Sequence, residues 1–431
     1  SQFISPYLMK SPNWREKFDL PPLFWLIALI ALINAISFTI IIPLLYPYAK
    51  QFGLSDLQAS LLTTAFALSQ FFGTPVLGKL SDRLGRKYIL VFSLAGTMVA
   101  NLLAAVAGVA WLLYFARMLD GLTGGNTSVA SAVISDITTP EQRPKAFGIF
   151  GATFRLGFVI GPVLSYFAQK LPTFPPVTLG GITLEVSSLG MSFLVSAAIA
   201  AFASILTLIF LPETTPRQGN FKLSWNDFAF GKIAKSAARP KLGQLFILTF
   251  LSGSTFTIFT FAFQPFFLNV LGQDAKGLAM MFALVGILGF ISQVFALEPL
   301  SDRFNLIDIV GVSLALRGIT FLLMPAFPNY GAFVLIMVFF GVVNSFPMPL
   351  IDTVLSLNSN RQEQGEVLGI NSSYLSMSNA IGPVISGLLV SLNYTAPLWI
   401  TGGLTILVAM FAFSLKAQFK CNKVVTGNPN F

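Results

Sequence analysis

The chain reads as long apolar runs separated by short polar breaks. Twelve such runs fall near residues 23–49, 56–80, 88–108, 110–135, 144–169, 189–212, 241–270, 275–297, 306–327, 331–356, 365–392 and 396–417. Each holds about 20 residues or more, enough to cross a hydrocarbon core about 30 Å thick as a helix. The first 20 residues are polar and the first apolar run is long enough to span, so a cleavable signal peptide is not expected. Residues 213–240 form the longest polar stretch inside the chain. They divide it into an N-terminal segment (1–22), a six-span half (23–212), a linker (213–240), a second six-span half (241–417) and a tail (418–431). Residues 171–190 carry Pro172, Pro175, Pro176, Gly180 and Gly181, which predict a loop with a small hairpin. The expected fold class is an all-α membrane protein of twelve transmembrane helices in two pseudo-symmetric six-helix halves.

Composition agrees with this reading. The 431 residues are 55% hydrophobic and 10% charged, where a soluble domain carries about 25% charged residues. There are 44 Phe and no His. The lack of His excludes a Ser-His-Asp triad and disfavours most transition-metal sites. The single Cys421 permits no intrachain disulfide. Gly124-Gly125-Asn126 reads as helix interior and is not followed by Lys-Ser/Thr, so it is no phosphate cradle. No enzyme constellation, cofactor or metal is expected.

The net charge of +9 changes meaning once it is mapped. Of the 26 Lys and Arg, only Lys50, Lys170 and Lys276 fall on one side of the predicted membrane, and Arg117, Arg155 and Arg317 fall inside spans. The rest lie on the side of the two termini, which the positive-inside rule places in the cytoplasm. The basic balance is therefore a topology signal and not a sign of nucleic-acid binding.

Short motifs repeat at a near-constant spacing. Leu80-Ser81-Asp82-Arg83 recurs as Leu300-Ser301-Asp302-Arg303, an offset of 220. Gly161-Pro162-Val163 recurs as Gly382-Pro383-Val384 and Gly148-Ile149 as Gly369-Ile370, both at 221, and Pro43 and Pro265 stand 222 apart. Parallel repeats of this kind build transporters with a central site between the halves.

Three motifs carry a resemblance to a known family. They are Gly78-Lys79-Leu80-Ser81-Asp82-Arg83-Leu84-Gly85-Arg86-Lys87, Arg117 through Gly124, and Gly151 through Gly161-Pro162. The chain resembles a major facilitator superfamily transporter over essentially its whole length. With Pro43-Leu44-Leu45-Tyr46-Pro47 it is most similar to the drug–proton antiporter branch, of the tetracycline-efflux type. The resemblance implies export of small amphipathic, drug-like compounds in exchange for protons, from a bacterial-type inner membrane, by a monomer. The alternative is a transporter of an organic anion or lipid-like amphiphile, by symport or facilitated movement, using the intramembrane arginines. It implies gating roles for Gly78, Asp82, Arg83, Gly85 and Arg86, which latch the halves on the cytoplasmic side. Gly157, Gly161, Pro162, Asp302 and Arg303 join the gating set.

Intramembrane ionisable residues are the sharpest chemical signal, because each is costly in lipid. Arg117 and Asp120 stand three apart on one helical face. They form either a structural ion pair or, with Arg155, a proton-coupling element centred on Asp120. Arg155 either pairs with Asp120 or attracts an anionic group. In tetracycline-type antiporters an acid precedes the first proline of span one by nine residues; here that position is Asn34, which cannot ionise. Candidate substrate contacts are Asn34, Phe38, Phe259, Gln264, Arg317, Asn344, Asp352, Asn371 and Tyr374, an aromatic and polar set suited to amphipathic ligands.

Overall fold

The computed structural model describes residues 20–139, 142–180, 182–214, 230–359 and 364–419. Most of the N-terminal segment, the middle of the linker and nearly all of the tail lie outside the described residues. Among the described residues, eleven helices are long and apolar enough to cross a membrane. Together with an interrupted fourth they run, in order, Pro22–Gln51, Asp56–Leu84, Arg86–Ala105, Ala110–Thr123 with Asn126–Ile137, Arg143–Ala168, Ser188–Phe210, Leu242–Val270, Ala275–Phe295, Leu306–Ala326, Tyr330–Leu357, Gln364–Leu392 and Ala396–Ser414. They are called the first to twelfth spans below.

Gly124-Gly125 is not helix interior, contrary to the sequence expectation. The fourth span stops at Thr123 and restarts at Asn126. Two adjacent glycines lower helix propensity, and packing also demands them here. A Cβ on Gly125 would stand 2.8 Å from Leu77 Cδ1 of the second span. The first span also bends, through a short 3₁₀ turn at Ile42–Leu44. The predicted loop at 171–190 holds a two-stranded antiparallel hairpin, β1 Phe174–Leu179 and β2 Ile182–Val186, with Leu179 opposite Ile182.

The duplication is visible in atomic detail. In the first half, Thr39 Oγ1 donates to Gly157 O at 2.7 Å, and a Cβ on Gly161 would fall 2.0 Å from the same Oγ1. In the second half, Thr257 Oγ1 donates to Ser378 O at 3.1 Å, and a Cβ on Gly382 would fall 1.9 Å from it. The first and fifth spans thus cross as the seventh and eleventh do. Between spans one and seven the structural offset is 218, so Pro43 matches Phe261, and Pro265 lies one helical turn beyond it. Such close crossings matter because apolar helices gain no hydrophobic energy by leaving lipid for one another; close packing and hydrogen bonds must hold them.

The halves meet through the second span against the eleventh and the fifth against the eighth. Thr64 Oγ1 donates to Ala380 O at 3.0 Å, and a Cβ on Gly286 would stand 2.4 Å from Phe158 O. The buried apolar side chains divide unevenly. On the face away from the termini, one cluster contains residues of both halves, from Leu44, Tyr46 and Leu62 to Phe261, Phe333 and Val390. On the terminal face there are two clusters, one per half, around Phe24, Ile89 and Val133 and around Phe246, Leu314 and Ile351. Among the described residues, buried apolar packing thus joins the halves at the far face and stays within each half at the terminal face.

If these crossings hold each half together, adding one methyl must strain them. Gly161→Ala and Gly382→Ala should each cost about 1–3 kcal/mol by overpacking, read as a lower thermal unfolding midpoint in detergent. Gly151→Ala, where the added Cβ would meet nothing within 4 Å, should leave that midpoint unchanged or raise it.

Candidate functional site

A cavity of about 540 Å³ lies between the halves. Its walls are aromatic and polar. Phe38 of the first span meets Phe66 of the second at 5.5 Å with tilted rings, and Gln70 lies one turn along. Opposite them stand Phe256, Phe259, Phe263 and Gln264 of the seventh span, Phe282 of the eighth and Phe340 of the tenth. Phe256 and Phe340 are nearly parallel, with ring centroids 6.4 Å apart. The cavity ends at the far face on Tyr46, whose ring meets Phe261 edge-on at 5.5 Å. The Tyr46 hydroxyl donates to Asp56 Oδ1 at 2.5 Å, and Lys50 Nζ lies 3.0 Å from the same oxygen. Tyr46 therefore closes one end with a ring from the first half on a ring from the second.

Arg117, Asp120, Arg155, Arg317 and Asp352 are charged side chains set back from the span ends, and geometry sorts them. Arg117 Nη1 donates to Asp120 Oδ2 at 2.8 Å, and both are almost fully buried. The Arg117 guanidinium also covers the Phe66 ring at 4.4 Å, a cation–π contact that helps offset desolvation. Arg117 lines the cavity and Asp120 does not. Arg155 does not pair with Asp120. It lines the cavity from the first half, as Asp352 does from the other, and no ion pair closes between them among the described residues. Asp352 Oδ1 accepts from Asn371 Nδ2 at 2.8 Å.

Several expected substrate contacts lie elsewhere. Asn34 faces the fourth span and not the main cavity. Its Nδ2 donates to Asn126 Oδ1 at 3.0 Å, and Asn126 Nδ2 donates back at 3.1 Å. Arg317 of the ninth span stands behind the wall, bound to Ser252 O at 2.9 Å, Thr255 Oγ1 at 3.0 Å and Asn344 Oδ1 at 3.3 Å. Asn371 is buried behind Asp352. Tyr374 stacks on Phe246 at 5.4 Å and donates to Ile233 O at 2.7 Å, fastening the helix Phe230–Ser236 to the eleventh span. The cavity does take in Phe38, Phe259, Gln264, Asn344 and Asp352.

Of the gating residues, those of the 78–87 loop and of the helix Leu297–Arg303 lie on the terminal face, while Gly157, Gly161 and Pro162 lie deeper, in the fifth span. Gly85 has φ +107°, which favours glycine, and a Cβ there would strike the Glu213 carboxylate. That carboxylate accepts from the backbone N–H groups of Arg86, at 2.7 Å, and Lys87, at 3.3 Å. An acid at this helix N-terminus satisfies donors that would otherwise be unpaired. Arg86 pairs with Asp82 and, at 2.9 Å, with Asp136. These contacts stay within the first half and the start of the linker that follows it. Gly78 lies open enough that its Cβ would meet only Ser128, at 3.8 Å. Arg83 ends the second span, while Asp302 and Arg303 end the helix Leu297–Arg303 of the other half. Pro162 lies inside the fifth span next to the Gly161 crossing.

Sequence reasoning missed Tyr46, Phe66, Gln70 and Gln293 as wall residues. Gln70 and Gln293 had a readable signal, each being a polar side chain well inside an apolar span.

Comparison with known proteins agrees with the geometry. The sequence profile of the Major Facilitator Superfamily matches residues 27–296 and 245–423. Multidrug resistance protein 1 of Bacillus subtilis (strain 168) is 28% identical over 361 residues, covering 84% of this chain and 87% of that protein. Tetracycline resistance protein, class B, of Escherichia coli is 26% identical over 373 residues, covering 86% and 88%. Among solved structures, a bacterial homolog of the human lysosomal transporter Spinster, inward-facing and unoccupied, superposes with a TM-score of 0.73 at 16% identity, covering 97% of this chain and 100% of that one.

The Arg117–Asp120 geometry makes a checkable claim. Asp120→Asn leaves a buried cation without its counter-charge, which should cost about 3–5 kcal/mol and lower the folded yield in detergent. The double variant Arg117→Gln/Asp120→Asn should recover much of that loss.

Proposed function

Because the chain belongs to the Major Facilitator Superfamily, and so is an integral membrane transport protein and not an enzyme, we propose that it exports small amphipathic organic compounds in exchange for protons. The observation that carries this reading is the cavity between the halves, aromatic on its walls, with Arg155 and Asp352 on opposite sides of the cleft. Aromatic walls with few polar groups bind apolar bodies and leave orientation to those groups. One chain encloses the whole cavity, so the working unit is a monomer. The clustering of Lys and Arg on the terminal face supports a cytoplasmic location of both termini, and the bacterial relatives support a bacterial-type plasma membrane. The open mouth then faces the cytoplasm, the side from which an exporter loads. The names of the two resistance proteins support a drug-like substrate class.

Coupling follows from the cross-cavity pair. Asp120 is engaged by Arg117 and lies off the wall, so Asp352 is the better placed proton carrier. When Asp352 is ionised it attracts Arg155, which draws the halves together at the cytoplasmic mouth. When it is protonated the attraction is lost and the mouth opens. A proton taken up outside therefore favours return to the loading state. A substrate that displaces the proton inside favours closure of the mouth and opening of the far face. That order of events is antiport. The expected gating role of Gly85, Arg86 and Asp82 fits the same cycle, with the loop held within its own half while the mouth is open.

Asp352→Asn separates binding from coupling. In proteoliposomes it should abolish uptake driven by a pH gradient, by at least tenfold, while substrate exchange without a gradient continues. Full gradient-driven transport by Asp352→Asn would remove Asp352 from the mechanism. In that case Asp120→Asn, which keeps the same length, becomes the variant to measure.

A further inference from the structure

The charges inside the membrane do not balance. Arg117 has Asp120, and Arg155 has Asp352 across the cleft. Arg317 has no carboxylate among the described residues. Its side chain is fully buried, and its Nε has no partner. All its partners are neutral: Ser252, Thr255 and the amide oxygen of Asn344. An unpaired buried cation is costly, and a protein that keeps one in the membrane has a partner for it that comes and goes.

Asn344 connects that cation to the cavity. It lies at the break of the tenth span, between the helices Tyr330–Val343 and Pro347–Leu357. The break is braced from the eighth span, where Gln293 Nε2 donates to Ser345 O at 2.8 Å. Because Arg317 can only donate, the Asn344 oxygen must face it, and the two N–H donors of the amide turn the other way. Asn344 lines the cavity, so those donors are offered to a ligand, with the Arg317 charge directly behind them. Phe340 is one turn back on the same span and stacks with Phe256, giving a flat apolar surface beside the donors.

We propose that Asn344, polarised by Arg317, seats the anionic group of the transported compound, and that the Phe256–Phe340 pair receives its aromatic body. The ligand class is an aromatic carboxylate or a zwitterion presenting one. This rests on the transport reading above and adds to it the anionic end of the substrate. Arg317 acts here through Asn344 and is a positioning residue. Arg155 stays assigned to Asp352.

Matched probes that differ only in charge test the seat. The purified full chain in nanodiscs is titrated with 1-naphthaleneacetate and with its neutral amide, 1-naphthaleneacetamide. The seat predicts at least tenfold tighter binding of the carboxylate. Asn344→Asp keeps the shape, places a fixed negative charge against Arg317 and should abolish or reverse the preference. A thermal unfolding midpoint of that variant in nanodiscs close to wild type reports that it is folded. Arg317→Gln should reduce the preference, and Arg155→Gln should leave most of it. Equal binding of both probes by wild type, or a preference that survives Asn344→Asp, overturns the seat while the transport reading stands. Failure of both probes to bind also overturns the seat, and if no amphipathic compound shows gradient-driven uptake either, the transport reading falls with it.

Discussion

Everything in this fold rests on how closely two helices approach in a solvent that does not push them together. Thr39 against Gly157 and Gly161, and Thr257 against Ser378 and Gly382, bring backbones near enough for a hydroxyl to reach a neighbouring carbonyl. Those crossings make each half a unit. The crossings between halves use the same device, through Gly286 on Phe158 and Thr64 on Ala380. Because the shared apolar cluster lies on one face only, the units can part on the other without unpacking themselves. The cavity is the gap that remains.

The scaffold is repeated, but the walls are not. The first half supplies Arg117 and Arg155, held by an acid and faced by an acid. The second supplies most of the aromatic surface, with Phe259, Phe263, Phe321 and Phe340 packed ring against ring. Duplication fixed where a side chain can reach the cavity, and divergence chose which chemistry stands there. Polarity at one wall and stacking surface at the other suit a ligand with one charged end and one flat end.

Much of this was legible from the chain. Hydropathy located every span, and repeated motifs indicated the two halves. Facing was harder. Asn34 and Phe38 are one turn apart, yet Phe38 enters the cavity and Asn34 meets Asn126. That contact depends on the break at Gly124-Gly125, which local patterning read as continuous helix. Arg155 and Asp352 were both noticed, but their relation spans two halves, and no periodicity within one span reports on another. The Pro43 and Pro265 match fell one turn off the true register, because a proline near a helix bend tolerates such a slip. Thr39 and Thr257 hold the register, and nothing in the sequence marks them out from other small polar residues in the spans.

The paired amides of Asn34 and Asn126 have a consequence beyond packing. Each gives one hydrogen bond and takes one, and neither has a proton to lose. The joint between the first and fourth spans is therefore insulated from acidity on either side of the membrane. Exchanging one amide nitrogen for oxygen at position 34 would keep the shape of that joint and put an ionisable group into it.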